Sequence, residues 1–209
     1  MSHNPTYPYQ KDTDYPYDWK LYMLDTEIQK YVLDCANIIN NKFNGVPIVL
    51  VCILKGASWF FCDLTKKLTI PYTTYFIEAS SYKDGQTQEE TVEILSRIVP
   101  SKFNNKKVIL IDELYDNGTT MENIKKAVSD KANVLYDDIY TMALFKKNKP
   151  STHKYTGKLD MSGVDVADVW LVGYGLDDQQ EKRGWIHLFA VPKIEGVPKT
   201  DDDYVIFGR

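Results

Sequence analysis

Val46-Pro47-Ile48-Val49-Leu50-Val51-Cys52-Ile53-Leu54 is an almost unbroken apolar run, rich in β-branched side chains, that halts at Lys55-Gly56. A strand with one wet face alternates apolar and polar residues. One without alternation has both faces covered, as in a parallel sheet held between helices. Ahead of this run, Ile28, Val32, Cys35, Ile39 and Phe43 recur at three- and four-residue steps behind a capping Asp25 or Thr26, and Gly45 closes the pattern. That spacing predicts an amphipathic helix. Beyond the run, residues 57–68 have helical composition and residues 72–77 form a second β-rich stretch with Pro71 at its edge. Strand, helix, strand is the βαβ unit. The rhythm continues with a strand at 108–111, a helix at 121–131, a strand at 139–145, a Lys/Pro-rich connection, a strand at 169–174 and a short one near 186–190. An α/β domain is expected, with a central, mostly parallel sheet flanked by helices and no internal repeat or interdomain linker.

The 209 residues carry 25 Lys+Arg against 29 Asp+Glu, a net charge of −4, with 44% hydrophobic residues. This is globular composition and excludes a disordered or collagen-like chain; single domains routinely reach about 200 to 250 residues. The mild acidity argues against a nucleic-acid partner, which needs a cationic face. Cys35, Cys52 and Cys62 lack the paired spacings of a zinc site or disulfide framework. Residues 1–20 have no basic start followed by an apolar stretch, and nowhere do about 18 apolar residues run together. A cytoplasmic protein with no membrane partner is expected. Pro5, Pro8 and Pro16 among Tyr7, Tyr9, Tyr15 and Tyr17 make residues 1–20 an extended docking arm, leaving 21–209 as one domain.

The chemistry concentrates where the strand at 108–111 runs into Asp112-Glu113-Leu114-Tyr115-Asp116-Asn117-Gly118-Thr119-Thr120. In an open parallel sheet, ligands bind at the carboxyl ends of strands, where amides of the following helix favour an anion. Gly118 lets the backbone curl, and Asn117, Thr119 and Thr120 offer amides and hydroxyls to a phosphate. Three acids precede this cradle. Acids do not hold phosphate, so hydroxyls or a bridging metal ion must lie beside it, and phosphate next to a diol suggests a sugar phosphate. The competing reading is an Asn-Gly hairpin turn with solvated acids. Leu114 stands where an EF-hand needs an oxygen ligand, and neither Gly-x-x-x-x-Gly-Lys-Ser/Thr nor Gly-x-Gly-x-x-Gly follows any strand. Residues 80–91, polar and rich in turn formers, read as a mobile loop.

Over about residues 22–190 these features resemble the type I phosphoribosyltransferases, specifically the hypoxanthine-guanine phosphoribosyltransferase family. In that family a strand ends in two acids, two apolar residues, Asp-Thr-Gly, any residue and Thr. Here the acids stand as Asp112-Glu113 rather than Glu-Asp, and Asn117 replaces the first Thr. Leu54-Lys55-Gly56 is similar to the family's pyrophosphate-binding turn, which contains a non-proline cis peptide. Ser81-Tyr82 resembles the start of its flexible catalytic loop. The stretch Val169-Trp170-Leu171-Val172-Gly173-Tyr174-Gly175-Leu176-Asp177, with Arg183 beyond it, is similar to its purine-binding end.

The resemblance implies a type I phosphoribosyltransferase fold with a small hood built from the terminal segments, and it implies roles. Asp116 is the catalytic acid-base group; residues Asn117, Gly118, Thr119 and Thr120 bind the 5-phosphate; Asp112 and Glu113 bind ribose. Leu54, Lys55, Gly56 and Arg183 bind pyrophosphate, a task that suits a planar, always-charged guanidinium. Trp170 and Leu114 would wall a flat purine, Leu171 would read its edge through backbone groups, and Lys146 would donate to its 6-oxygen. Asp177 joins the purine end and, with Asp112 and Glu113, a Mg²⁺ network. The implied reaction is purine salvage: a 5-phosphoribosyl group moves from phosphoribosyl diphosphate to N9 of a 6-oxopurine, hypoxanthine or guanine. It yields a purine nucleoside monophosphate (IMP or GMP) and pyrophosphate, in a homodimer or homotetramer. Alternatives on the same fold are a xanthine-preferring phosphoribosyltransferase and a non-catalytic, nucleotide-sensing regulator that binds RNA.

Overall fold

A computed structural model describes residues 19–83 and 90–191. In chain order the elements are β1 (Lys20–Met23), α1 (Asp25–Lys42), β2 (Ile48–Leu54), α2 (Ser58–Thr65), β3 (Thr73–Lys83), β4 (Glu90–Ile94), β5 (Lys107–Tyr115), α3 (Thr119–Ala132), β6 (Ile139–Lys147), β7 (Met161–Val166), β8 (Trp170–Val172) and β9 (Leu188–Val191). Six strands form one sheet in the order β4-β3-β2-β5-β6-β7, parallel except where β4 runs against β3. The order reverses between β2 and β5, where neighbouring crossovers leave a crevice outside the carboxyl ends of the strands.

The apolar run at 48–54 is one of the two central strands, covered on both faces as the sequence required. From Ile48 to Ile53 no β2 residue is more than 4% exposed. Its pleat divides the core: Ile48, Leu50 and Cys52 face one side with Ile109 and Ile111 of β5, and Val49, Val51 and Ile53 face the other with Val108 and Leu110. Ile28, Val32, Cys35 and Ile39 of α1 and Phe60 and Leu64 of α2 close the first face; Met121, Ile124 and Val128 of α3 close the second. Each such side chain taken fully from water contributes about 1.5–3 kcal/mol. A second, three-stranded antiparallel sheet, β1-β9-β8, joins the two ends of the described chain into the expected hood.

Five details differ from expectation. Leu24, rather than Asp25 or Thr26, caps α1; its N–H donates to Glu27 Oε2 at 3.0 Å, so the cap comes from inside the first turn. Helix α2 stops at Thr65, short of 68, and the strand expected from 169 to 174 ends at Val172. Strand β7, Met161-Ser162-Gly163-Val164-Asp165-Val166, is absent from the pattern because it mixes polar residues with a glycine. Gly163 is needed there: a Cβ would lie 2.8 Å from the Leu144 carbonyl of the neighbouring strand. The loop read at 80–91 is partly a ladder, with Ser80 opposite Glu93, Ser81 opposite Val92, Tyr82 opposite Thr91 and Lys83 opposite Glu90. Residues 84–89 of that loop and 1–18 of the arm lie outside the described residues.

Candidate active site

The acid-rich motif unrolls from the end of β5, next to β2 and opposite the turn after it. Gly118 takes φ +84°, the left-handed region that an L side chain resists, and starts α3 at Thr119. A Cβ there would also meet the Tyr115 hydroxyl at 2.5 Å. Asp112, Leu114, Tyr115, Asp116, Asn117, Gly118, Thr119, Thr120 and Met121 line a cavity of about 100 Å³ at this helix start. The hairpin reading is thereby excluded: β5 and the next strand, β6, run parallel with α3 between them.

A second cavity, about 470 Å³, opens beside the carboxyl end of β2 and is lined by Leu54, Lys55, Glu78, Ala79, Ser80, Leu95, Asp177, Gln180 and Arg183. The Leu54–Lys55 peptide is cis, as the resemblance implied. Gly175 presses on this turn so closely that a Cβ would sit 2.2 Å from the Gly56 carbonyl oxygen. Gly175 N–H donates to the Arg183 carbonyl at 2.9 Å, and Arg183 Nη1 donates back to the Gly175 carbonyl at 2.9 Å. One contact between two glycines therefore delivers the guanidinium to the turn. A roomier cavity of about 620 Å³ lies at the opposite end of the sheet, among Val46, Pro47, Lys107 and Asn133, and contains none of these residues.

Between the two site cavities stand Asp112 and Glu113. Both carboxyls are pushed up from the usual range, chiefly by burial, and Glu113 further by the charge of Asp112. Asp112 Oδ1 accepts from the Glu113 N–H at 3.0 Å, while Glu113 Oε2 is buried without a hydrogen-bond partner. Glu113 fills the space beside Gly56, where a Cβ would overlap its Oε1 at 1.8 Å. Two buried carboxyls with unmet acceptor capacity are oxygen donors suited to a diol or to a hard cation carried by phosphates. The same charges, after burial itself, push the Cys52 thiol up to about 12, so it is not a nucleophile.

Asp177 is paired within its own segment. Its Oδ1 lies 2.6 Å from Arg183 Nη2 and its Oδ2 accepts from the Gln180 N–H at 2.8 Å. The guanidinium claims the carboxylate, and among the described residues no three His, Cys, Asp or Glu side chains cluster as metal ligands.

Around Asp116 are partners that the sequence reading missed. Lys149 Nζ is 2.6 Å from its Oδ1 and Lys147 Nζ 3.1 Å from its Oδ2; both ammonium groups also reach Asp168, at 2.7 and 3.5 Å. Lys146, the lysine chosen from the sequence, has a looser tie, 3.9 Å to Asp165 Oδ1. A Lys/Pro-rich connection was the only signal for this cluster, and it does not say which lysines turn inward. Trp170 is 56% exposed at the head of β8, leaving ring surface open, while Leu171, next in the same hood strand, is buried and Leu114 packs against the same core cluster. Ser81 and Tyr82 sit in the β3 ladder.

Both the sequence and the fold have known relatives. The phosphoribosyl transferase domain family matches residues 25–179. The hypoxanthine-guanine phosphoribosyltransferase of Staphylococcus aureus is 30% identical over 162 residues, covering 77% of this chain and 87% of the relative. That of Staphylococcus epidermidis is 33% identical over 160 residues, covering 76% and 86%. Among solved structures, a hypoxanthine-guanine phosphoribosyltransferase from Bacillus anthracis with HEPES in its active site superposes with a TM-score of 0.71 at 27% identity, over 83% of this chain and 98% of that one. The hypoxanthine phosphoribosyltransferase of Trypanosoma cruzi in complex with the product IMP shares the fold, with a TM-score of 0.70 at 21% identity over 86% and 98%. With the family model matching residues 25–179 and relatives of 30% and 33% identity over three quarters of the chain, this chain belongs to the hypoxanthine-guanine phosphoribosyltransferase family.

Proposed function

We propose that the protein transfers a 5-phosphoribosyl group from 5-phospho-α-D-ribosyl 1-diphosphate to N9 of hypoxanthine or guanine, releasing pyrophosphate. The observation that carries this reading is the pair of cavities at the ends of adjacent strands β5 and β2, with two buried carboxyls between them. A substrate with phosphate at one end, diphosphate at the other and a diol between them is complementary to that layout. The amides and hydroxyls of residues 117–120 hold the 5-phosphate. Asp112 and Glu113 accept from the ribose hydroxyls. Lys55, Gly56 and Arg183 face the diphosphate.

As the C1–O bond lengthens, positive charge grows on the ribose and negative charge on the leaving group, so donors aimed at the diphosphate stabilise the transition state. Mg²⁺ bound with the substrate would add Lewis-acid neutralisation of the diphosphate, and Asp112 and Glu113 are the residues to hold it. Asp116 takes or shares the purine N7 proton, Trp170 and Leu114 wall the ring, Leu171 reads its edge through backbone groups, and Asp177 fixes Arg183. Ser81 and Tyr82 begin the segment that closes over the site and keeps water from the activated sugar. The reading also takes the enzyme to be cytoplasmic and a homodimer or homotetramer, with 21–209 as one domain and 1–20 as a docking arm.

Pyrophosphate release from phosphoribosyl diphosphate, measured with hypoxanthine, guanine, xanthine, adenine and uracil in turn, tests this. Release with the first two supports it. Release with xanthine alone establishes the xanthine-preferring alternative, and no release with any base leaves the regulator.

Lys146 is the proposed reader of the 6-oxygen. Its loose partner leaves the ammonium free to turn to a base, whereas Lys147 is committed to two carboxylates. Lys146→Ala is expected to narrow the preference for hypoxanthine over adenine, in kcat/KM, by about tenfold, the scale of one charged hydrogen bond. An unchanged preference moves the role to another residue.

A further inference from the structure

The charges around Asp116 link two parts of the site that the chain supplies from distant positions. Asp116 follows β5 and lines the phosphate cavity. Asp168 stands two residues before Trp170, where the chain enters the hood. Lys149 comes from the connection after β6 and lies between them, 2.6 Å from Asp116 Oδ1 and 2.7 Å from Asp168 Oδ1. Lys147 spans the same two carboxylates at 3.1 and 3.5 Å, and both lysine side chains are nearly buried, 12% and 10% exposed. Two cations shared by two anions in a half-dry place form a network in which removing one member leaves its partners uncompensated. Among the described residues, these two ammonium groups are what holds the Asp116 carboxylate.

We infer that Lys149 and Asp168 form a charge bridge that sets the separation between Trp170, the stacking wall, and Asp116, the group facing N7, so that the two meet a purine together. Both are positioning residues: Asp168 touches no part of the expected base, and Lys149 acts through Asp116. The bridge explains why the hood carries an acid at 168, on a surface-facing corner, although neither the stacking of a base nor its edge reading calls for one. It also fixes which substrate should feel its loss. The diphosphate cavity is built by Leu54, Lys55, Asp177 and Arg183 and shares no residue with the bridge. Breaking the bridge therefore loosens the purine's seat and leaves the phosphoribosyl diphosphate seat alone.

This inference rests on the function proposed above, and the experiment separates the two. Steady-state KM for hypoxanthine and for phosphoribosyl diphosphate is measured for the wild type, Lys149→Met, Lys149→Arg, Asp168→Asn and the double variant Lys149→Met/Asp168→Asn, each with its melting temperature. Lys149→Met and Asp168→Asn are expected to raise the KM for hypoxanthine about tenfold, a change of the size one broken charge-assisted contact gives. The KM for phosphoribosyl diphosphate should stay within about twofold. The double variant should be no worse than the worse single one, because the two residues act as a unit. Lys149→Arg, which keeps the charge and reach, should recover most of the loss. If Lys149→Met does not fold, Asp168→Asn, nearly isosteric and on an exposed corner, reads the same link. A general loss of stability would move both KM values together, and that result overturns the bridge, as does a hypoxanthine KM unchanged in Asp168→Asn. A wild type that releases no pyrophosphate with any purine overturns the underlying function and this inference with it.

Discussion

Asp116→Asn is expected to lower kcat by about 10²-fold, the contribution a well-placed acid-base group makes, while the affinity for IMP or GMP falls by no more than the roughly tenfold that breaking the bridge to Lys149 gives. The substitution keeps size and one acceptor oxygen but removes the ability to hold a proton. The proposed phosphate seat consists of the amides and hydroxyls of residues 117–120 and the left-handed turn at Gly118, none of which depends on the Asp116 charge. Binding and turnover should therefore separate. Asp116 faces two lysines, so its neutralisation also leaves Lys147 and Lys149 sharing Asp168 alone. A melting curve alongside the kinetics shows whether that surplus of positive charge unsettles the fold. Steady-state rates with hypoxanthine, together with titration of IMP by the fluorescence of Trp170 and its neighbours, give the two numbers. A turnover equal to that of the wild type removes Asp116 from the chemistry.

Much of this site was legible because its parts depend on local sequence. The apolar run into Lys55-Gly56 and the strand into Asp112 to Thr120 are contiguous. A contiguous motif needs only the βαβ rule to be placed at the carboxyl edge of the sheet. The same logic made α1 and β2 readable, since their apolar spacing reflects burial of one helix stripe and of both strand faces. What escaped depends on contacts between distant segments. Strand β7 looks like a loop because Gly163 substitutes close backbone approach for side-chain pattern. The pairing of Asp177 with Arg183 is a choice among partners that a list of acids does not resolve. Lys147 and Lys149 turn inward only because Asp116 and Asp168 arrive from elsewhere, and in sequence they look like any solvated lysines. The same holds for Gly175, read as one glycine of a purine-end motif although its contact is with Gly56 in the turn after β2.

That contact makes Gly175→Ala the second substitution with a large expected effect. Gly175 has φ +99°, which L residues seldom adopt, and a methyl group would stand 2.2 Å from the Gly56 carbonyl oxygen and 3.1 Å from its carbon. Those neighbours are backbone on the turn that carries the cis Leu54–Lys55 peptide, so no side-chain rotation relieves the clash. Either the hood segment lifts or the turn yields. Each route separates Arg183 from Lys55, because Gly175 and Arg183 are joined by two hydrogen bonds of 2.9 Å. The strained backbone and steric overlap together should cost about 2–3 kcal/mol, a fall in melting temperature of about 4–12 °C for a chain of this size. The KM for phosphoribosyl diphosphate should rise about tenfold or more as the diphosphate loses one side of its clamp. The KM for hypoxanthine, whose proposed seat is at Trp170 and Asp116, should move much less. Gly184→Ala is the matched control: it lies one residue past Arg183, has no positive φ, and a Cβ there meets nothing within 4 Å. Its effect on stability should stay within about 0.5 kcal/mol. Should Gly175→Ala behave like Gly184→Ala in melting temperature and in both KM values, the close approach of the two glycines is not what brings Arg183 to the turn, and the diphosphate seat must be assembled some other way.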